Sequence, residues 1–97
     1  MVRLTVRPLA QNDIQGIIDY YDEINPEISE NFLNDLESTI SNIKSLPKGY
    51  QRRIGDVRIS FLKRFPFGVF YKIYPSSITI IAILHTSQDS SKWLIGR

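Results

Sequence analysis

Residues 78–84 constrain the fold more than any other segment, because they are apolar at every position except Thr79. A strand that is apolar on both sides belongs in the middle of a sheet, with helices covering one face. The segment is far too short to cross a membrane as a helix, which needs about 20 apolar residues. We therefore expect a central β-strand here and no membrane association.

The other segments show the periodicity of single helices and strands. Residues 2–6 alternate between apolar and polar residues, as a half-buried strand does. Apolar residues then recur at helical spacing in two stretches, which are separated by the capping pair Asn25-Pro26. Residues 57–62 and 67–74 resemble strands. The order β-α-α-β-β-β predicts an α+β fold, with a helical hairpin packed on one face of a mostly antiparallel four-stranded sheet.

Length and composition exclude several classes of site. The 97 residues fit one domain, spanning residues 1–97. The absence of cysteine rules out disulfides, a thiol nucleophile and cysteine-based zinc sites, and a lone histidine cannot build a histidine-rich metal centre. We expect no metal ion and no cofactor. The N-terminus does not resemble a signal peptide, so we expect a cytoplasmic protein.

The charges are distributed unevenly along the chain. Residues 1–47 carry three basic and eight acidic residues, whereas residues 48–97 carry nine basic and two acidic ones. This asymmetry is typical of a protein with one face for an anionic partner, such as nucleic acid or an acidic protein segment. Neutralisation of one half by the other in the folded chain explains it equally well.

Basic and aromatic residues are interleaved between Lys48 and Tyr74. Single-stranded nucleic acids are bound by such mixtures, through phosphate contacts and base stacking. The alternative is that the rings fill the core and the cations are solvated. Arg58, Lys72 and Tyr74 fall at alternate strand positions, so we expect them on the sheet face that the helices leave free.

His85 follows the central strand directly, where it could act as a general acid or base. Of the carboxylates near it in the sequence, Asp89 is the closest candidate to orient it. The alternative is a structural histidine that hydrogen-bonds the C-terminal tail or a backbone carbonyl. Trp93 is interpreted as an anchor that holds this tail against the sheet.

Several motifs resemble toxins of the RelE/ParE superfamily. Residues 8–14 and 18–21, followed by Asn25-Pro26, resemble the opening of these proteins. Residues 62–73, which include Phe-Pro-Phe-Gly, resemble the ParE branch, as does the closing segment from Ile80 to Arg97. The likeness spans essentially the whole chain and agrees with the element order read from the periodicity.

The resemblance implies a type II toxin–antitoxin toxin, held in a hetero-oligomer by a small cognate antitoxin whose acidic and apolar residues would cover the basic sheet face. ParE-type members are associated with inhibition of DNA gyrase, and RelE-type members are ribosome-dependent mRNA endoribonucleases. A ParE-like gyrase inhibitor is the leading hypothesis. The alternatives are a RelE-like nuclease and a degenerate, non-toxic member that only binds its antitoxin or DNA.

Two comparisons with the superfamily patterns bear on this choice. The nucleases of the superfamily carry an arginine near the position of Gly68. They also carry basic or aromatic acid–base residues at the positions of residues 86–88, which are neutral in this sequence. The ParE branch often carries arginine and proline at the positions of Gln88 and Ser90, which puts the gyrase target in doubt. No residue is assigned a catalytic role; the nuclease candidates are His85, Arg64, Lys63 and Arg58. The expected target- or antitoxin-binding residues are Arg58, Lys63, Arg64, Lys72, Tyr74, His85, Gln88, Trp93 and Arg97.

Overall fold

The computed structural model describes residues 3–97. Its elements are β1 (Arg3–Val6), α1 (Pro8–Ile24), α2 (Pro26–Ser45), β2 (Arg52–Ile54), β3 (Val57–Phe61), β4 (Phe67–Tyr74), β5 (Ser77–His85) and α3 (Ser90–Trp93), with one 3-10 turn at Pro47–Gly49. No helix in this described part of the chain is both long and apolar enough to cross a membrane.

The strands form one sheet in the order β1-β5-β4-β3-β2, in which only β1 and β5 are parallel. The predicted α+β class and the mostly antiparallel sheet are confirmed. The prediction that residues 78–84 form a central strand holds only as far as Ile80, because β1 pairs with β5 no further and β4 is the middle strand. The prediction of four strands is wrong, because β2 adds a fifth at the edge. This strand has only three exposed residues, too few for a periodicity to be visible. It reaches β3 through a turn at Gly55, whose φ of 53° favours glycine.

The two long helices begin as the sequence predicts. A proline opens each helix, and the Asn25 side chain accepts a hydrogen bond of 3.0 Å from the Glu27 N–H. Asn25 is the one residue between the helices, so they turn back on each other as a hairpin. Phe32, Leu36 and Ile43 of α2 are buried against the sheet.

The sheet has two different faces. On the helix-covered face, Phe67, Val69 and Tyr71 of β4 join the main core with the helices. On the other face, called the open face below, Phe70 belongs to a smaller cluster, against which Leu94 of the tail packs. The other buried members of this cluster are Ile59, Ile81, Ala82 and Leu84. The tail therefore covers part of the face that the helices leave free.

Candidate binding surface

A groove of about 510 Å³ runs between α1 and the C-terminal end of β5. Three large apolar side chains around it are exposed: Tyr20 at 63%, Ile24 at 59% and Trp93 at 48%. His85 and Gln88 also line the groove, together with the buried Phe67 and Ile83. The predicted site residues His85, Gln88 and Trp93 are thus brought together, whereas Tyr20 and Ile24 were not among the predicted site residues.

The C-terminal residue holds the tail against the edge of β5. Within residues 3–97, β1 pairs with β5 only as far as Ile80, so the edge of β5 beyond this residue has no neighbouring strand there. The Asp13 carboxylate accepts a hydrogen bond of 3.1 Å from the Ile83 N–H and pairs with the Arg97 guanidinium at 2.5 Å. The Arg97 guanidinium also donates to the Ile81 carbonyl at 3.4 Å. Arg97 is therefore engaged inside the molecule. Its side chain bonds the Ile81 carbonyl, which a neighbouring strand would otherwise bond.

The hydrogen bonds of His85 are all local. Its Nδ1 accepts from the Ser87 N–H at 3.0 Å and lies 2.7 Å from the Ser87 hydroxyl, and its backbone N–H donates to the Gln88 side chain at 2.8 Å. Because a backbone N–H can only donate, Nδ1 is the acceptor, and the proton of the neutral ring lies on Nε2. Phe67 packs edge-on against the ring. The ring is therefore held by Ser87 and Phe67, and its Nδ1 bonds neither the tail nor a backbone carbonyl.

Asp89 does not orient His85. Its carboxylate caps α3 by accepting hydrogen bonds from the hydroxyl and the N–H of Ser91 at 2.6 and 3.1 Å. The hydrogen bond from the Ser91 hydroxyl is the main cause that lowers the pKa of Asp89. This carboxylate therefore serves the tail helix, and the expectation of an acid–base partner for His85 is not met.

Asp35 of α2 organises the loop between β3 and β4. The carboxylate is almost completely buried, and it accepts hydrogen bonds from three consecutive backbone N–H groups, those of Lys63, Arg64 and Phe65, at 3.2, 2.8 and 3.2 Å. Successive N–H groups that surround an anion in this way form a nest. Sequence reasoning missed Asp35, although an acidic residue within the apolar stripe of α2 is the signal that could have found it.

The structure contradicts the expected position of Arg58. The register pairs Arg58 with Tyr71, which faces the helices, so Arg58 lies on the helix-covered face and not beside Lys72 and Tyr74. Its guanidinium donates to the Tyr50 carbonyl at 2.6 Å and, less closely, to that of Lys48. The expectation failed because alternation within one strand does not say which face the neighbouring strand presents.

Lys72 and Tyr74 do lie on the open face, because they alternate with residues of β4 that pack against the helices. Two cations that the sequence analysis did not include join them there. Arg3 and Arg7 alternate with Leu4 and Val6, which contact the helix-side core. The same alternation in the sequence could have identified both arginines.

The nine predicted binding residues therefore occupy separate places. His85, Gln88 and Trp93 line the groove, Arg97 caps β5, Lys63 and Arg64 lie in the β3–β4 loop, Lys72 and Tyr74 lie on the open face, and Arg58 lies on the helix-covered face. Among the described residues, no hydrogen bond joins any two of the nuclease candidates His85, Arg64, Lys63 and Arg58.

The Ile59 side chain packs closely against Gly68. A Cβ atom at this position would lie 2.7 Å from Cδ1 and 3.1 Å from Cγ1 of Ile59, which is buried in the open-face cluster. Any larger side chain, including the arginine of the nuclease pattern, would displace Ile59.

Comparisons with known proteins agree with this architecture. Residues 4–90 match the family described as the ParE toxin of the type II toxin–antitoxin system parDE. A solved structure, the chromosomal ParDE system from P. aeruginosa, matches with a TM-score of 0.71 and 25% sequence identity, over 88% of this chain and 96% of that one. The comparison with curated proteins gave no match. Because the family match covers nearly the whole sheet and both long helices, the chain belongs to the ParE toxin family of type II toxin–antitoxin systems.

Proposed function

We propose that this toxin inhibits growth by binding DNA gyrase, without catalysing a reaction itself, and that a cognate antitoxin neutralises it. Membership of the ParE family supports the toxin role. One observation supports a binding role over a catalytic one. The only histidine of the chain accepts a hydrogen bond from the Ser87 N–H at its Nδ1.

Cleavage of mRNA on the ribosome needs a base for the 2′-hydroxyl, an acid for the leaving oxygen and cations for the transition state. Nδ1 of His85 is occupied by the Ser87 N–H, and the Asp89 carboxylate is engaged at α3. Gly68 also lacks the cation that the arginine of the nuclease pattern would supply. This geometry favours a binding role over a ribonuclease.

The groove between α1 and the end of β5 is the surface we propose for the antitoxin. Tyr20, Ile24 and Trp93 expose apolar surface around a single depression, and clustered exposure of this kind marks interaction sites. An antitoxin segment with apolar side chains fits this groove, and the toxin is then held in a hetero-oligomer.

A supercoiling assay with purified gyrase tests the target. We expect inhibition at micromolar toxin, and equal inhibition by His85→Asn, whose amide oxygen can accept the Ser87 N–H but cannot transfer protons. Ribosome-bound mRNA should stay intact with both proteins. Cleavage of this mRNA that His85→Asn abolishes would establish the nuclease alternative. Failure to inhibit gyrase, together with normal growth on expression, would establish the degenerate alternative.

The antitoxin is tested with the product of a neighbouring short reading frame. Adding this protein should restore supercoiling. Trp93→Ala should weaken the complex about 30-fold, corresponding to about 2 kcal/mol, because a large ring at a groove is a typical hot spot. Ile95→Ala is the matched control, since Ile95 lies in the same tail, is 80% exposed and does not line the groove. Equal affinity of both variants would argue against this binding site.

A further inference from the structure

The charges of the fold are separated into two layers. Eight of the ten acidic residues lie on α1 and α2, whereas eleven of the twelve lysines and arginines lie outside these helices. The two helices cover one face of the sheet, so the opposite face turns away from most of the negative charge. The potential of the molecule is therefore most positive on the sheet side.

One patch of the open face combines these cations with polar groups. It lies across β1, β5 and β4, and it consists of Arg3, Thr5, Arg7, Lys72, Tyr74 and Thr79. Arg3 and Tyr74 are exposed, and the other members are half-buried. These residues will be called the Arg3–Tyr74 patch.

Hydrogen bonds arrange the patch without neutralising it. The Arg7 guanidinium donates to the Tyr74 hydroxyl at 3.1 Å, and Nζ of Lys72 lies 6.0 Å from the centre of the Tyr74 ring. The hydroxyls of Thr5 and Thr79 are 2.9 Å apart. Within residues 3–97 the two ion pairs are Arg52–Asp56 and Arg97–Asp13, and neither involves the patch.

We propose that the Arg3–Tyr74 patch binds the phosphodiester backbone of a single-stranded nucleic acid. Arg3 and Arg7 are four residues apart, or roughly 13 Å along an extended strand, and Lys72 lies two strands away, or roughly 10 Å. One strand of phosphates can reach all three cations within this area. The Tyr74 ring offers a surface on which a base can stack.

The composition of the patch favours nucleic acid over an acidic peptide. Its uncharged members are hydroxyl-bearing side chains, which donate to phosphate oxygens, and none is a large aliphatic side chain that could form a pocket for a peptide residue. The patch lies on three strands of the sheet and on Arg7, which directly precedes α1, so none of its residues projects from a helix or a long loop that could enter the groove of a duplex. The inference does not depend on gyrase being the target.

Fluorescence anisotropy with a labelled short oligothymidylate tests the proposal on the intact protein. The double variant Arg7→Gln/Lys72→Gln should bind at least about tenfold more weakly at low salt. The matched control is Lys44→Gln/Arg52→Gln, which removes the same charge from other parts of the surface and should bind as the wild type does. Thermal unfolding of both variants checks that they are folded.

The salt dependence gives a second readout. With three phosphates neutralised, the slope of log K against log salt should be about −2 for a single strand, and about −0.7 after two cations are removed. The proposal is overturned if the wild type does not bind, or if the control variant loses as much affinity as the patch variant. Equal binding of a duplex, or of polyglutamate of the same charge, would also overturn it.

Discussion

Replacing Asp35 by asparagine should be one of the most destabilising single-atom changes available in this protein. The carboxylate accepts three N–H groups, one through Oδ1 and two through Oδ2, and it is 7% exposed. Asparagine keeps only one acceptor oxygen. Its NH₂ group takes the place of the other oxygen and cannot accept a hydrogen bond from the backbone N–H groups of the loop. Hydrogen bonds to a charged group contribute about 1.5–3 kcal/mol each.

Loss of one or two of these bonds predicts a destabilisation of about 3 kcal/mol, because water can reach part of the loop and replace the remainder. A chain of this length has a free energy of unfolding of about 5–15 kcal/mol, so the loss is a large fraction. Urea unfolding should show it directly, and the melting temperature should fall by roughly 10–20 °C.

The control for this experiment is Glu37→Gln, which makes the same chemical change at an exposed position of the same helix. Its effect should stay within about 0.5 kcal/mol. If Asp35→Asn were no more destabilising than Glu37→Gln, the three N–H bonds would contribute nothing to stability. The interpretation of Asp35 as the residue that organises the β3–β4 loop would then be refuted.

Three further predictions concern other parts of the fold. Arg97→Ala should cost about 2 kcal/mol in urea unfolding, because it leaves the largely buried Asp13 carboxylate without its cation. Burial raises the pKa of Tyr71 to about 12. Because the unfolded chain loses the hydroxyl proton at lower pH than the folded chain, the free energy of unfolding of the wild type should fall as the pH rises from about 10 to 12. The variant Tyr71→Phe should lack this decrease. Gly16→Ala should raise stability by about 0.5–1 kcal/mol in thermal unfolding, since the added Cβ meets no atom within 4 Å and a helix interior disfavours glycine.

The sequence predicted the inner strands of the sheet but not its edge strand β2. The run from residue 78 to 84 predicted a central strand, but this strand lies between β1 and β4 only as far as Ile80. The edge strand β2 has three exposed residues and no buried side, so no hydrophobic pattern marks it. The partial coverage of the open face by Leu94 depends on the path of the tail, which the capping of β5 by Arg97 fixes.

The sequence by itself determined the helical hairpin, the class of the sheet and the family resemblance, because periodicity, helix caps and local motifs are properties of neighbouring residues. Only the tertiary structure decided which candidate residues share a surface. Arg58 faces the helices because the cross-strand register sets it opposite Tyr71, whereas Arg7 meets Tyr74 across the intervening strand β5. The carboxylate of Asp35 and the loop that it holds are 28 to 30 residues apart in the sequence. Such contacts arise from packing between distant segments, which no local pattern encodes.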